Sequence, residues 1–113
     1  MPASRALERV ADDELSVSVH VVCELLLGAE LARNPARERQ RLDQLLEGIR
    51  VAYPDHRFAP TFAALSAWLE RRGERIGTMD ALIATSALVD GAALMTRNAK
   101  EFSRLPELRV LSY

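Results

Sequence analysis

Residues Gly77–Leu88 read GTMDALIATSAL, a nearly all-apolar segment that carries a single acid, Asp80. Residues three, four and seven positions after Asp80 are Ile83, Ala84 and Ala87, so the segment predicts a helix with this acid on its apolar face. An unpaired carboxylate is costly to bury. Such an acid therefore normally pairs with a cation, takes up a proton or binds a metal ion.

A second acid, Glu24, repeats this placement, since the same offsets lead from it to Leu27, Gly28 and Leu31. Two acids near the starts of apolar helices predict a metal site, with Glu24 and Asp80 on faces that are expected to be buried. An alternative is open for each acid on its own: a side chain in the first turn of a helix is stabilised by the helix dipole without any metal.

The length of 113 residues predicts one domain over residues 1–113, and a content of 49% hydrophobic and 27% charged residues is ordinary for a globular protein. No apolar run approaches the roughly 20 residues that cross a bilayer, and residues 1–9 lack the apolar centre of a signal peptide. The lone Cys23 excludes an internal disulfide and fits a reducing cytosol. We therefore expect a cytoplasmic protein without a membrane partner.

A net charge of −1 gives no general attraction for nucleic acid.

Strand and helix patterns alternate along the chain, which predicts an α/β sandwich with a parallel sheet. The predicted helices cover residues 3–11, 21–33, 36–47, 55–72 and 78–90, the predicted strands cover 15–19, 49–53, 92–96 and 108–111, and a turn or short helix covers 98–104. The aromatic residues expected in the core are Tyr53, Phe58, Phe62 and Trp68.

Groups at the carboxyl ends of parallel strands share one crevice. Glu24 follows the strand ending near Val19, and Asn98 follows the strand ending at Thr96. Asp80 begins a helix that can reach the same edge, so the sequence is consistent with three converging polar groups.

Three segments resemble those of the PIN-domain ribonucleases, specifically the VapC-type toxins of bacterial toxin–antitoxin pairs. They occur in the family's order and spacing at residues 18–29 (SVHVVCELLLGA), 76–84 (IGTMDALIA) and 94–102 (LMTRNAKEF). The resemblance extends from about Arg5 to Val110. It implies a PIN-like three-layer sandwich in which helices flank a parallel β-sheet.

The resemblance implies an endoribonuclease that depends on Mg²⁺ or Mn²⁺ and cleaves RNA phosphodiester bonds with a metal-activated water. Glu24 and Asp80 match the family's acidic metal ligands, and Asn98 matches the position after the fourth strand where the family carries Asp or Asn. These three residues are the expected catalytic group. Glu101 matches the acid of the Asp/Glu–Phe pair beside the site and joins the expected metal ligands. Magnesium is a hard cation that takes such oxygen ligands.

The partners that the resemblance implies are an RNA substrate, a VapB-like antitoxin and a second copy of the chain. Arg97, Lys100 and Arg104 follow the predicted strand 92–96 and are candidates for holding neighbouring phosphates of the RNA. A structural role is an equal alternative for each of them.

The chain departs from the family at its N-terminus. PIN domains begin with an apolar strand that ends in Asp, and Asp12 and Asp13 are the only aspartates before Glu24. Glu8 and Arg9 spoil any apolar strand leading to them. We therefore expect an N-terminally truncated domain that starts at the family's second helix; a start assigned too late, a cut chain and a natural fragment each remain open.

Without a middle strand, neighbouring strands keep unpaired edges. This predicts a homodimer, or one with swapped elements, and weak metal binding. Enzymatic activity then depends on whether the first Asp is truly absent. The alternative function is a catalytically impaired fragment that binds antitoxin or dimerises.

Overall fold

A computed structural model describes residues 16–96 and 98–112. In chain order, the elements are β1 (Ser16–Ser18), α1 (Val19–Glu30), α2 (Pro35–Leu46), β2 (Arg50–Ala52), α3 (Phe58–Arg71), α4 (Thr78–Asp90), β3 (Leu94–Thr96), α5 (Ala99–Phe102) and β4 (Val110–Ser112). The predicted α/β class is confirmed, and element ends differ from the predictions by about three residues or fewer. The predicted helix 3–11 and the acids Asp12 and Asp13 lie outside the described residues.

Local sequence signals set the helix ends. The Ser18 hydroxyl accepts a hydrogen bond from the His20 backbone N–H at 3.0 Å and caps α1. Asn34 caps α2 in the same way, accepting from the Arg37 N–H at 3.2 Å, with Pro35 in the first turn. Helix α4 ends at Gly91, whose left-handed φ of 63° suits a residue without a Cβ. Because of these caps, α1 begins directly after β1, and α4 ends shortly before β3.

The predicted parallel pairing is confirmed, and the four strands form two parallel pairs. Strand β1 pairs with β2, and β3 pairs with β4. Among the described residues, neither β1 nor β3 has a second strand neighbour. Helix α4 packs against β1, and its Ala84 shares a core cluster with Leu94 of β3. One helix therefore supports both pairs.

The core lies between α3, α4, β3 and the chain around α5. Its most buried members are Leu65, Leu69, Ala84, Leu94, Phe102 and Leu105. Ile83 and Ala87 pack against this cluster, so the face of α4 that carries Asp80 is buried, as predicted. Within the described residues, no helix has the length and apolar character needed to cross a membrane.

Two burial predictions are wrong. Leu27 and Leu31, on the face of α1 that carries Glu24, are 60% and 78% exposed, because α1 buries only Ala29. Tyr53, expected in the core, is 72% exposed because β2 ends at Ala52 and the chain leaves the sheet there. The other three predicted core aromatics do face inward, with Phe58 buried and Phe62 and Trp68 half-buried.

Candidate metal site

Asp80 lies in the first turn of α4 and is half-buried. Its carboxylate forms no hydrogen bond or ion pair with any residue in the described part of the chain. Burial, and secondarily the charge of Glu101, raises the pKa of Asp80 above its ordinary value of 3.8. The positive end of a helix normally stabilises an acid. Here desolvation and a like charge outweigh that effect, so the ionised form of Asp80 is destabilised.

Glu101 reaches the same region from α5, and its position is fixed by its neighbours. The backbone N–H of Asn98 donates to the Thr96 hydroxyl at 3.0 Å, which turns the chain at the carboxyl end of β3. The side-chain amide of Asn98 then donates to Glu101 Oε2. Arg104 lies on the other side, with Nη2 3.8 Å from Glu101 Oε1 and Nε donating to the Glu101 carbonyl at 3.1 Å. These contacts hold the Glu101 carboxylate in place, and its charge acts on Asp80.

Glu24 does not join this pair. It lies in the second turn of α1, its side chain is exposed, and it is not among the groups that raise the pKa of Asp80. No cluster of three His, Cys, Asp or Glu side chains able to hold a metal occurs within residues 16–96 and 98–112. The structure thus brings together Asp80, Glu101 and Asn98. The metal-binding and catalytic roles of all four residues stay predictions.

The three candidate phosphate-binding residues differ in their surroundings. Arg97 lies outside the described residues. Lys100 is exposed, and no ion pair to it occurs within the described chain. Arg104 is engaged with two acids, since its Nη1 lies 3.9 Å from Glu74 Oε2 in addition to its contact with Glu101. These contacts fit the structural alternative expected for Arg104, and the spacing of three residues between Glu101 and Arg104 is the usual signal for a helical ion pair.

The donor set fits a hard divalent cation. Two carboxylates with an amide side chain beside them supply oxygen ligands, and Mg²⁺ and Mn²⁺ prefer oxygen. Because Asn98 uses its amide nitrogen toward Glu101, its carbonyl oxygen is left as a further donor. A cation between Asp80 and Glu101 would offset the burial cost and the repulsion that together raise the pKa of Asp80. Mg²⁺ usually keeps several waters, so a small protein ligand set is sufficient.

A comparison with protein families finds a match to the PIN domain over residues 1–108. The chain is 31% identical over 107 residues to Ribonuclease VapC1 of Haemophilus influenzae (strain R2866), covering 95% of this chain and 80% of that protein. It is 29% identical over 96 residues to the tRNA(fMet)-specific endonuclease VapC of Salmonella typhimurium, covering 85% of this chain and 73% of that protein.

Its fold also matches a solved structure. In the crystal structure of VapBC2 from Rickettsia felis bound to a promoter DNA fragment, the matching chain is 29% identical, with a TM-score of 0.89. The match covers 97% of this chain and 84% of that one.

Asp80→Asn is expected to stabilise the metal-free chain at neutral pH. The folded pKa of Asp80 is higher than its unfolded pKa, so the folded state binds more protons and loses stability as pH rises through the folded pKa. The variant lacks this loss, so it should melt higher than the parent at neutral pH but not below pH 3.8.

Thermal unfolding at both pH values measures this difference. Asp43→Asn is the matched control, because Asp43 is exposed and pairs only with Arg39 among the contacts of the described residues. If the difference in melting temperature between Asp80→Asn and the parent is the same at both pH values, the raised pKa of Asp80 is contradicted.

Proposed function

The chain belongs to the PIN-domain family, and from this membership we propose that it is a divalent-metal-dependent endoribonuclease of the VapC type that acts in the cytoplasm. The observation that carries the proposal is the half-buried pair Asp80 and Glu101, beside Asn98 at the carboxyl end of β3. The relatives named as ribonucleases and as a tRNA endonuclease support RNA as the substrate.

In this proposal Asp80, Glu101 and Asn98 hold Mg²⁺ or Mn²⁺, and Glu24 is the further ligand expected from α1. When bound, such a cation would supply Lewis-acid polarisation of the phosphate and would lower the pKa of a water molecule. The protein's own contribution is placement. Asn98 and Arg104 fix the Glu101 carboxylate from two sides, within range of the charge of Asp80.

Basic side chains next to the acids complete the proposed site. Lys100 is exposed one residue before Glu101, where its ammonium can contact an RNA phosphate next to the scissile one. Arg104 is committed to Glu74 and Glu101 and so acts on RNA through the carboxylate that it positions. We assign Arg97, which follows Thr96 in the sequence, to phosphate binding on the resemblance alone.

A second candidate function is a PIN module that binds a VapB-like antitoxin without cleaving RNA. The exposure of Glu24, and its separation from the acid pair, favours this alternative, since a cation would then meet fewer ligands. The matching VapBC complex supports a VapB-like partner under either proposal. The two functions differ in RNA cleavage: the ribonuclease cleaves RNA, whereas the module binds antitoxin tightly and leaves RNA intact.

We also propose that the chain forms a homodimer, either with intact protomers or with swapped elements. Leu27 and Leu31 expose an apolar stripe on α1, and β1 and β3 each have one unpaired edge among the described residues. Sedimentation velocity should show twice the chain mass of 12.6 kDa for the parent and a shift toward 12.6 kDa when Leu27 and Leu31 are both changed to Lys. A parent that sediments as a monomer at micromolar concentration would refute the dimer.

RNA cleavage tests the main proposal. Purified chain is incubated with initiator tRNA and with total RNA, with Mg²⁺ or with EDTA, and the products are separated on a denaturing gel. We expect cleavage with Mg²⁺ only, and a rate lower by about 100-fold or more in Asp80→Asn, because a ligand carboxylate is lost.

Asp43→Asn is again the control and should cleave like the parent, because Asp43 lies on the exposed side of α2. Cleavage by Asp80→Asn at the parental rate, or cleavage that persists in EDTA, would reject the metal-dependent nuclease. Intact RNA together with tight binding of a VapB-like antitoxin would select the binding module.

A further inference from the structure

A cleft of about 390 Å³ lies away from the acid pair, between α3, the C-terminal part of α4 and the segment that leads into β4. Leu65 and Trp68 of α3 and Leu88 of α4 form its apolar wall, and Pro106 and Glu107 form its rim. Leu88 is eight residues after Asp80 on the same helix, which is about 12 Å along the axis. The cleft is therefore separate from the candidate metal site.

Glu107 is held at the rim by an uncommon backbone conformation. Its φ of 63° is left-handed, and it is the only non-glycine residue with positive φ among the described residues. A left-handed residue directly after Pro106 matches a type II turn, where glycine or asparagine is favoured. Glutamate rarely occupies this region. No hydrogen bond or ion pair to the Glu107 carboxylate occurs within the described part of the chain.

Trp68 is half-buried and lines the same cleft as Glu107, and its ring already accepts one guanidinium. The Arg72 guanidinium carbon lies 4.7 Å from the Trp68 ring centroid, in a cation–π contact. The wall of the cleft thus consists of aliphatic side chains and an indole ring that can stack on a planar cation. Its rim carries one carboxylate that has no partner in the described chain.

We propose that this cleft receives an arginine side chain of a protein partner. An apolar wall with one acid at its edge complements a side chain with an apolar stem and a cationic head. The stem would lie against Leu65 and Leu88, and the guanidinium would meet Glu107 while its plane packs near Trp68. Arginine suits this site better than lysine, because its planar head both stacks on aromatic rings and binds a carboxylate through two N–H groups. This inference is independent of the proposed ribonuclease activity.

Trp68 is the only tryptophan in the chain, so its fluorescence and its indole N–H signal in NMR report on the cleft directly. The probe is the peptide acetyl-Ala-Arg-Ala-amide, titrated at constant ionic strength. Two matched peptides replace Arg by Lys or by the uncharged isostere citrulline. We expect a saturable change with the Arg peptide, binding of the Lys peptide weaker by about tenfold, and no saturable change with citrulline.

Variants at the rim separate binding from folding. Glu107→Gln should weaken binding of the Arg peptide by about tenfold or more, because a charge-assisted hydrogen bond is lost. Glu47→Gln, at an exposed glutamate after α2, should bind like the parent. Glu107→Gly should raise the melting temperature, since glycine accepts a positive φ, and should still lose binding.

Two results would overturn the proposal. The first is a Trp68 signal that shows no saturable change with the Arg peptide. The second is equal affinity of the Arg peptide for the parent and for Glu107→Gln, or of the Arg and citrulline peptides for the parent.

Discussion

The burial of the Asp80 carboxylate near the like charge of Glu101 is the constraint on which the candidate site depends. Asp80 is half-buried at the start of α4, where solvent cannot fully hydrate its charge, and Glu101 adds a second negative charge. The described residues offer Asp80 no cationic partner. A folded protein normally avoids this arrangement. We propose that a cation stabilises the pair during function.

Helix α4 makes this arrangement possible because it is anchored at several points. Ala84 is fully buried in the core cluster, and the Thr85 hydroxyl donates to the Ala81 carbonyl at 2.7 Å. The same helix contacts β1 and shares its core cluster with β3, so it ties together two strand pairs that do not pair with each other in the described chain. The energy that positions Asp80 thus comes from apolar packing farther along α4.

Periodicity in the sequence was sufficient for α4 and insufficient for α1. Both helices carry an acid with apolar residues at the same offsets, yet Ala84 is buried whereas Leu27 and Leu31 are exposed. Spacing shows which residues share a face and not which face meets the core, because that choice depends on distant elements. The contact of Arg104 with Glu74 could not be predicted from spacing for the same reason, since 30 residues separate the two in the sequence.

Binding of Mn²⁺ to the full chain, followed by electron paramagnetic resonance, tests most directly whether the acid pair holds a cation. The account predicts one saturable site in the parent, loss of that site in Asp80→Asn, weaker binding in Glu101→Gln and parental binding in Asp43→Asn. Parental affinity in Asp80→Asn would contradict it.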